Sequence, residues 1–202
     1  MTPTLVLEQL MLHPRFNELA TLTRAITPVG LVDQTDRATE DARQVMAAEG
    51  HGVKSVDASS VPGWLRLGLL DVYAQWAAGT ADTCRHQPAV DRPMPVIAAA
   101  WRPGLVVCPA CVHLTGLPRG ADTTCDACGH QCGDLAHGDG IYADMIQLGP
   151  LIYQYGTCGD CRPAITAQSS PPSATQTAEP ATPRGTGRAR PARPHNRRRR
   201  PR

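Results

Sequence analysis

The chain is poor in lysine, in aromatic side chains and in long apolar runs. Lys54 is its only lysine and Phe16 its only phenylalanine, so the basic charge is almost all guanidinium. No stretch approaches the roughly 18 consecutive apolar residues of a membrane-spanning helix, which argues against a membrane protein. The opening residues Met1–Glu8 lack the basic n-region of a secretory signal peptide. The expectation is therefore a cytoplasmic protein. In a reducing compartment, paired cysteines bind metal more often than they form disulfides. The preference for Arg, Ala and Pro over Lys, Phe and Ile matches a high-GC bacterial genome.

What the chain does have is unevenly distributed. Its net charge of +2 averages two unlike parts. Residues 1–162 carry eleven basic and seventeen acidic groups, a balance of −6. Residues 163–202 carry nine arginines and a single acid, Glu179, a balance of +8.

The first 80 residues contain no cysteine and read as helical. A short apolar segment runs from Leu5 to Leu12. Pro14 can open a second helix through Phe16, Leu19, Leu22 and Ile26, stopped by Pro28 and Gly30. A polar helix is expected from about Thr35 to Glu49, with a thin apolar face of Ala38, Ala42, Val45 and Met46 and Gly50 beyond its end. The last helix, 62–79, has Ser59 or Ser60 as a cap, Pro62 in its first turn and Gly79 at its far end. Trp64, Leu65, Leu67, Leu69, Leu70, Val72, Tyr73 and Trp76 make it apolar over most of its circumference. Such a helix is buried or docked on a protein partner. Beyond it, Val96–Trp101, Leu105–Val107 and Ile146–Tyr155 are short apolar runs bounded by Gly, Pro or polar residues, which favours strands. Gly149-Pro150 breaks the last of them.

Three Cys-x-x-Cys pairs follow: Cys108 with Cys111, Cys125 with Cys128, and Cys158 with Cys161. Cys84-Arg85-His86 is a shorter fourth pair. A two-residue gap lets both sulfurs converge on one tetrahedral ion while backbone N–H groups point back at them, and Gly129 after Cys128 suits the tight turn. The segment 101–130, with an apolar strand, one pair, a 13-residue hairpin (112–124) and a second pair ending in glycine, resembles the zinc-ribbon class. The whole layout is similar to that of uncharacterised actinobacterial proteins, a likeness that implies no activity.

Four pairs make eight ligands, enough for two Zn2+ ions, one held by four cysteines and one by three cysteines and a histidine. Three pairings are open. A nested scheme joins 108/111 with 125/128 and 84/86 with 158/161. A cross-brace joins 84/86 with 125/128 and 108/111 with 158/161. A sequential scheme joins neighbours in order. The nested scheme is preferred because its hairpin is the shortest loop to close. Cys132 is left over, as a buried small hydrophobe or free thiol.

Two enzyme classes are the alternatives. Val106-Val107-Cys108-Pro109-Ala110-Cys111 superficially resembles a glutaredoxin strand and active site. However, Gly116, Pro118, Gly120 and Asp122 follow where a thiol oxidoreductase of that kind needs a long helix. A zinc-supported nuclease could draw on His113, His130 and His137 with Asp134 and Asp139, but the glycines around His137 suggest a solvated loop. The His-x-Glu and Pro-Cys-x-x-Cys signature of a zinc deaminase is missing. Sites with four protein ligands are closed, so zinc here is expected to be structural.

Nine arginines in the last nineteen residues, including Arg197, Arg198, Arg199 and Arg200, form a polycation suited to nucleic-acid phosphates. The Ser, Thr, Ala and Pro preceding them bury too little apolar area to order the chain. The expected fold is α+β: a helical region (1–80), a two-zinc ribbon-like module (81–162) and a disordered tail (163–202). The expected function is non-catalytic, a zinc-binding protein that mediates macromolecular contacts, with nucleic acid as partner of the tail.

Overall fold

In the computed structural model, residues 2–48, 61–117, 123–133 and 139–162 are described. The arginine tail, the candidate caps Ser59 and Ser60, and the loop residues Asp134 and His137 lie outside them. Four α-helices come first: α1 (Pro3–Met11), α2 (Phe16–Ile26), α3 (Val29–Ala48) and α4 (Gly63–Ala77). Five strands follow: β1 (Asp82–Thr83), β2 (Val96–Ala99), β3 (Arg102–Val107), β4 (Tyr142–Leu148) and β5 (Leu151–Thr157). A 3₁₀-helix, Pro109–Thr115, follows β3. The expected α+β class is realised, with the strands in one mixed sheet of order β1-β3-β2-β5-β4. β1 pairs parallel with β3 and β2 parallel with β5, while the β2–β3 and β4–β5 pairs are antiparallel.

Period-two alternation gives the sheet two apolar faces. Val96, Ala98, Val106, Ile146, Leu151, Tyr153 and Tyr155 share one core with Val61, Leu65, Leu69, Val72 and Trp76 from α4 and the turn before it. Ile97, Val107 and Ile152 point the other way and share a second core with Ala42 and Met46 of α3. The sheet is thus sandwiched between α4 and α3, and six of the seven residues of β5 are buried. Burial on both faces explains why Ile146–Tyr155 reads as nearly continuous apolar sequence rather than as alternation.

Helix α4 therefore spends its apolar circumference inside the chain. Only Gly63 and Ala77 of its fifteen residues are exposed, so of the two readings of this helix, buried or docked on a protein partner, burial within the chain is the one the structure shows. Trp64 meets Tyr155 edge-to-face at 5.9 Å, and the Trp76 indole N–H donates to the Pro88 carbonyl at 2.9 Å. The helix ends in a Schellman motif, with Thr80 N–H bonded to the Gln75 carbonyl and Gly79 N–H to that of Trp76. Helix α1, capped by Thr2 with Pro3 in its first turn, has no buried residue. It is held to α4 by polar contacts: Thr4 Oγ1 donates to Asp71 at 2.8 Å, and Arg66 pairs with Glu8 at 2.9 Å.

The polar helix expected from Thr35 starts six residues earlier. Pro28 stands between the two helices, immediately before α3, and its carbonyl accepts from the Leu31 and Val32 N–H groups of the first turn. The thin face read from the sequence is the one buried, with Ala38, Ala42 and Met46 at 2% exposure or less. Gln147 fastens this helix to the β4–β5 hairpin by donating to the carbonyls of Thr39 (2.7 Å) and Gly149 (2.9 Å). The hairpin turns through Gly149-Pro150, and Gly149 has φ +55°, a left-handed conformation that glycine adopts without strain.

Candidate metal centres

The eight predicted ligands fall into two tetrads. Cys84, His86, Cys108 and Cys111 form one, and Cys125, Cys128, Cys158 and Cys161 the other. Within each, one ligand atom per residue lies within 4.8 Å of every other. Both could hold a metal ion. This is the sequential pairing, and it corrects the nested one. Loop closure changes by only about 0.6 kcal/mol per doubling of loop length, too little to compete with strand pairing. Tertiary pairing decides the matter here: the first tetrad forms where the ends of β1 and β3 are brought together, and the second where a small hairpin is tied to the end of β5.

The first tetrad is built by β1. Its two residues pair with β3 at Asp82↔Leu105 and Thr83↔Val106, which sets Cys84 beside Cys108 as both strands run out. The Cys108 N–H faces the Cys84 sulfur at 3.5 Å. The 3₁₀-helix then turns Cys111 back, with its N–H bonded to the Cys108 carbonyl at 2.9 Å. A tight turn closed by Gln87 N–H and the Cys84 carbonyl at 2.8 Å brings His86 round. Cys84 and Cys108 sulfurs lie 3.8 Å apart, and His86 Nδ1 is 3.3 Å from both Cys108 and Cys111 sulfurs and 3.9 Å from that of Cys84. Zinc–sulfur bonds of about 2.3 Å and zinc–nitrogen bonds of about 2.0 Å give tetrahedral edges of about 3.8 and 3.5 Å. The observed separations match those edges. Ala42 and Met46 of α3 pack over the three cysteines and shield them from solvent.

The second tetrad joins a small hairpin to the end of β5. Thr124 and Gln131 bridge its arms, Cys125 N–H donates to the His130 carbonyl, and Cys132 N–H to that of Thr123. Gly129, at φ +73°, closes the turn after Cys128, with its N–H on the Cys125 carbonyl at 2.8 Å. Asp126 ties this hairpin to Gly156 through two hydrogen bonds. The Cys158 N–H faces the Cys125 sulfur at 3.3 Å, and Cys128 and Cys158 sulfurs are 3.9 Å apart. Just beyond Cys161, the Arg162 guanidinium stacks over the Tyr142 ring at 4.6 Å.

The thiols behave as crowded acids. Burial opposes ionisation of Cys84, yet the N–H groups of Cys108 and His86 outweigh it and bring the thiol down to about 6. Burial is likewise overcome at Cys125, where the N–H groups of Cys158, Cys128 and Ala127 bring it down to about 7. In contrast, burial and the sulfurs of Cys108 and Cys84 push Cys111 up to about 11. Burial and neighbouring sulfurs raise Cys161 in the same way. Each tetrad thus has a thiol poised to ionise and another held back by burial and by its neighbours' sulfurs. A bound dication removes that repulsion.

The tetrads occupy opposite ends of the sheet. Val107 pairs with Ile97 and Ile97 with Ile152, so the first lies near the start of β5. The second follows Thr157, at its finish. The seven residues of β5 put roughly 20 Å between them along the strand direction.

Cys132, predicted as a surplus thiol, is 7% exposed and shares an apolar cluster with Cys125 and Cys158. His113 is exposed on the 3₁₀-helix. His130 and Asp139, two of the residues weighed for a nuclease, come together beside Cys132, which the sequence reading had left apart from them. Arg197, Arg198, Arg199 and Arg200 lie outside the described residues. Among the described residues no helix is long and apolar enough to cross a membrane. No family model, curated protein or solved structure matches the chain. Its features are those of an α+β protein with two four-ligand centres able to hold metal.

Proposed function

We propose that this chain is a non-catalytic zinc protein that mediates macromolecular contacts, with its arginine tail associating with nucleic acid. The observation that carries this reading is the closure of both tetrads. Each supplies four protein ligands and leaves no open position for substrate or water, the pattern of a structural site. Cysteine-rich tetrahedral sets of this kind suit Zn2+ among the divalent ions. In this reading two zinc ions pin the ends of a sheet whose middle is already held by α3 and α4. The Cys-x-x-Cys turns that resemble those of zinc ribbons provide the pins. The ligands work as reduced thiolates, which suits the cytoplasm.

The tail supplies the contact. With zinc bound, the three-cysteine site carries a charge of about −1 and the four-cysteine site about −2, so residues 1–162 become more acidic than their formal −6. Affinity for a polyanion then resides in the last nineteen residues. Their guanidinium groups pair with phosphate, and the lack of Phe, Tyr or Trp there gives little base stacking and poor sequence selectivity.

Two measurements test this. Metal analysis of the purified protein should find about two zinc ions in the tetrads, with chelation loosening the fold; a metal-free, fully folded protein would sink the reading. A gel-shift titration across salt should show that the full chain binds duplex DNA with a log–log slope no steeper than roughly −8. A chain ending at Arg162 should not bind. Equal binding by both would remove the tail from the mechanism.

A further inference from the structure

The geometry points to a third metal site, chemically unlike the two tetrads, formed by His130, Cys132 and Asp139. Their ligand atoms lie within 4.8 Å of one another. His130 and Cys132 stand two residues apart on one arm of the knuckle hairpin, where alternate side chains leave from the same face. Asp139 approaches from the segment leading into β4.

The His130–Asp139 separation is informative. Nε2 and Oδ1 are 3.5 Å apart. A charge-assisted hydrogen bond between these groups closes to about 2.7–2.9 Å. Nitrogen and oxygen ligands at about 2.0–2.1 Å from a tetrahedral zinc lie about 3.4 Å apart. The pair is spaced as two corners of a coordination shell rather than as a donor and acceptor. The carboxylate is also held from behind, because Oδ2 accepts the Gly133 N–H at 3.0 Å and Oδ1 is left facing His130. Fixing the far oxygen of a carboxylate ligand is what outer-sphere hydrogen bonds do at metal sites.

Burial shows which side is open. Cys132 is 7% exposed, while the side chains of His130 and Asp139 are 55% and 57% exposed. The sulfur forms the floor and the other two ligands the rim. A bound ion would have three protein ligands and a position facing solvent, the arrangement of labile or reactive zinc sites rather than closed ones. Thiolate, imidazole and carboxylate together suit a borderline divalent cation such as Zn2+ or Co2+. Cys132 packs against Cys125 and Cys158, so the ion would sit beside a four-cysteine centre. On the preceding reading that centre carries net negative charge, which favours a neighbouring cation. The open position would take water or a small anion.

The test uses the full-length protein, stripped of metal under reducing conditions and titrated with Co2+, with bound metal counted by native mass spectrometry. Wild type should bind three ions, the third at least about tenfold more weakly than the others and with an absorption spectrum that shifts on adding azide. His130→Gln and Asp139→Asn alter exposed side chains and keep the backbone contacts of the hairpin. Each should weaken the third step by about 10–100-fold and leave the first two unchanged. Saturation of wild type at two ions would overturn the third site alone. So would a third ion that persists unweakened in both variants, or one that is blind to azide. Fewer than two ions would overturn the two-tetrad reading along with it.

Discussion

Asp126 and Gly156 exchange two hydrogen bonds: the Asp126 N–H donates to the Gly156 carbonyl at 2.9 Å, and the Gly156 N–H donates to Asp126 Oδ2 at 2.7 Å. Neither residue is a ligand, yet they hold Cys125 and Cys128 against the strand that delivers Cys158. Asp126→Ala removes the side-chain acceptor and leaves a strand N–H unpaired, at a cost of about 1–3 kcal/mol. Zinc affinity of the second tetrad should fall by about 10–100-fold while the first is unaffected. Competition with a chromophoric chelator, resolving two release steps, would check this.

Ligand pairing can be read by counting ions in double variants. Cys84→Ser/Cys111→Ser damages one tetrad and should leave about one tetrad-bound zinc. Cys111→Ser/Cys125→Ser damages both and should leave neither filled. The nested arrangement requires the reverse order, so metal analysis of these two proteins separates the schemes.

Met46 is fully buried against the cysteines of the first tetrad. Met46→Ala should destabilise the fold by about 2–5 kcal/mol. It should also speed zinc loss from that tetrad and leave the second unchanged, since the cavity opens at one end of the sheet. Denaturant unfolding and stopped-flow chelation would measure the two effects.

Gly68, in the middle of α4, faces Tyr153. A Cβ added there would lie 2.6 Å from the tyrosine hydroxyl, and Tyr153 is only 5% exposed, so its ring has little room to retreat. Alanine would gain about 1 kcal/mol in helix propensity. The overpacking costs about 1–3 kcal/mol, so Gly68→Ala should lower the melting temperature rather than raise it.

Local chemistry made much of this molecule legible. The eight candidate ligands followed from the Cys-x-x-Cys and Cys-x-His spacings, because metal geometry constrains residues close in sequence. The β4–β5 hairpin was marked by Gly149-Pro150, and the buried stripe of α3 by Ala38, Ala42 and Met46. Pairing of the tetrads was not legible, because it depends on a parallel contact between Asp82–Thr83 and β3 that two exposed residues cannot announce. The burial of α4 inside the chain was hidden for a related reason. An all-round apolar helix looks the same whether its own sheet or another protein covers it. The core of 84–161 is likewise completed by α3 and α4, which lie earlier in the sequence.

The non-interleaved order of the tetrads has a consequence for how the protein is made. The first is complete once Cys111 has been synthesised, and the last ligand of the second lies 50 residues further on. At about 5–20 residues per second, a ribosome takes about 3–10 s to cover that distance. On the zinc reading proposed above, the nascent chain would capture its first ion and fix β1 against β3 before Cys158 and Cys161 exist to compete for it. Interleaved ligand pairs would have left half-made sites waiting on one another; here each end of the sheet is secured in the order in which it leaves the exit tunnel.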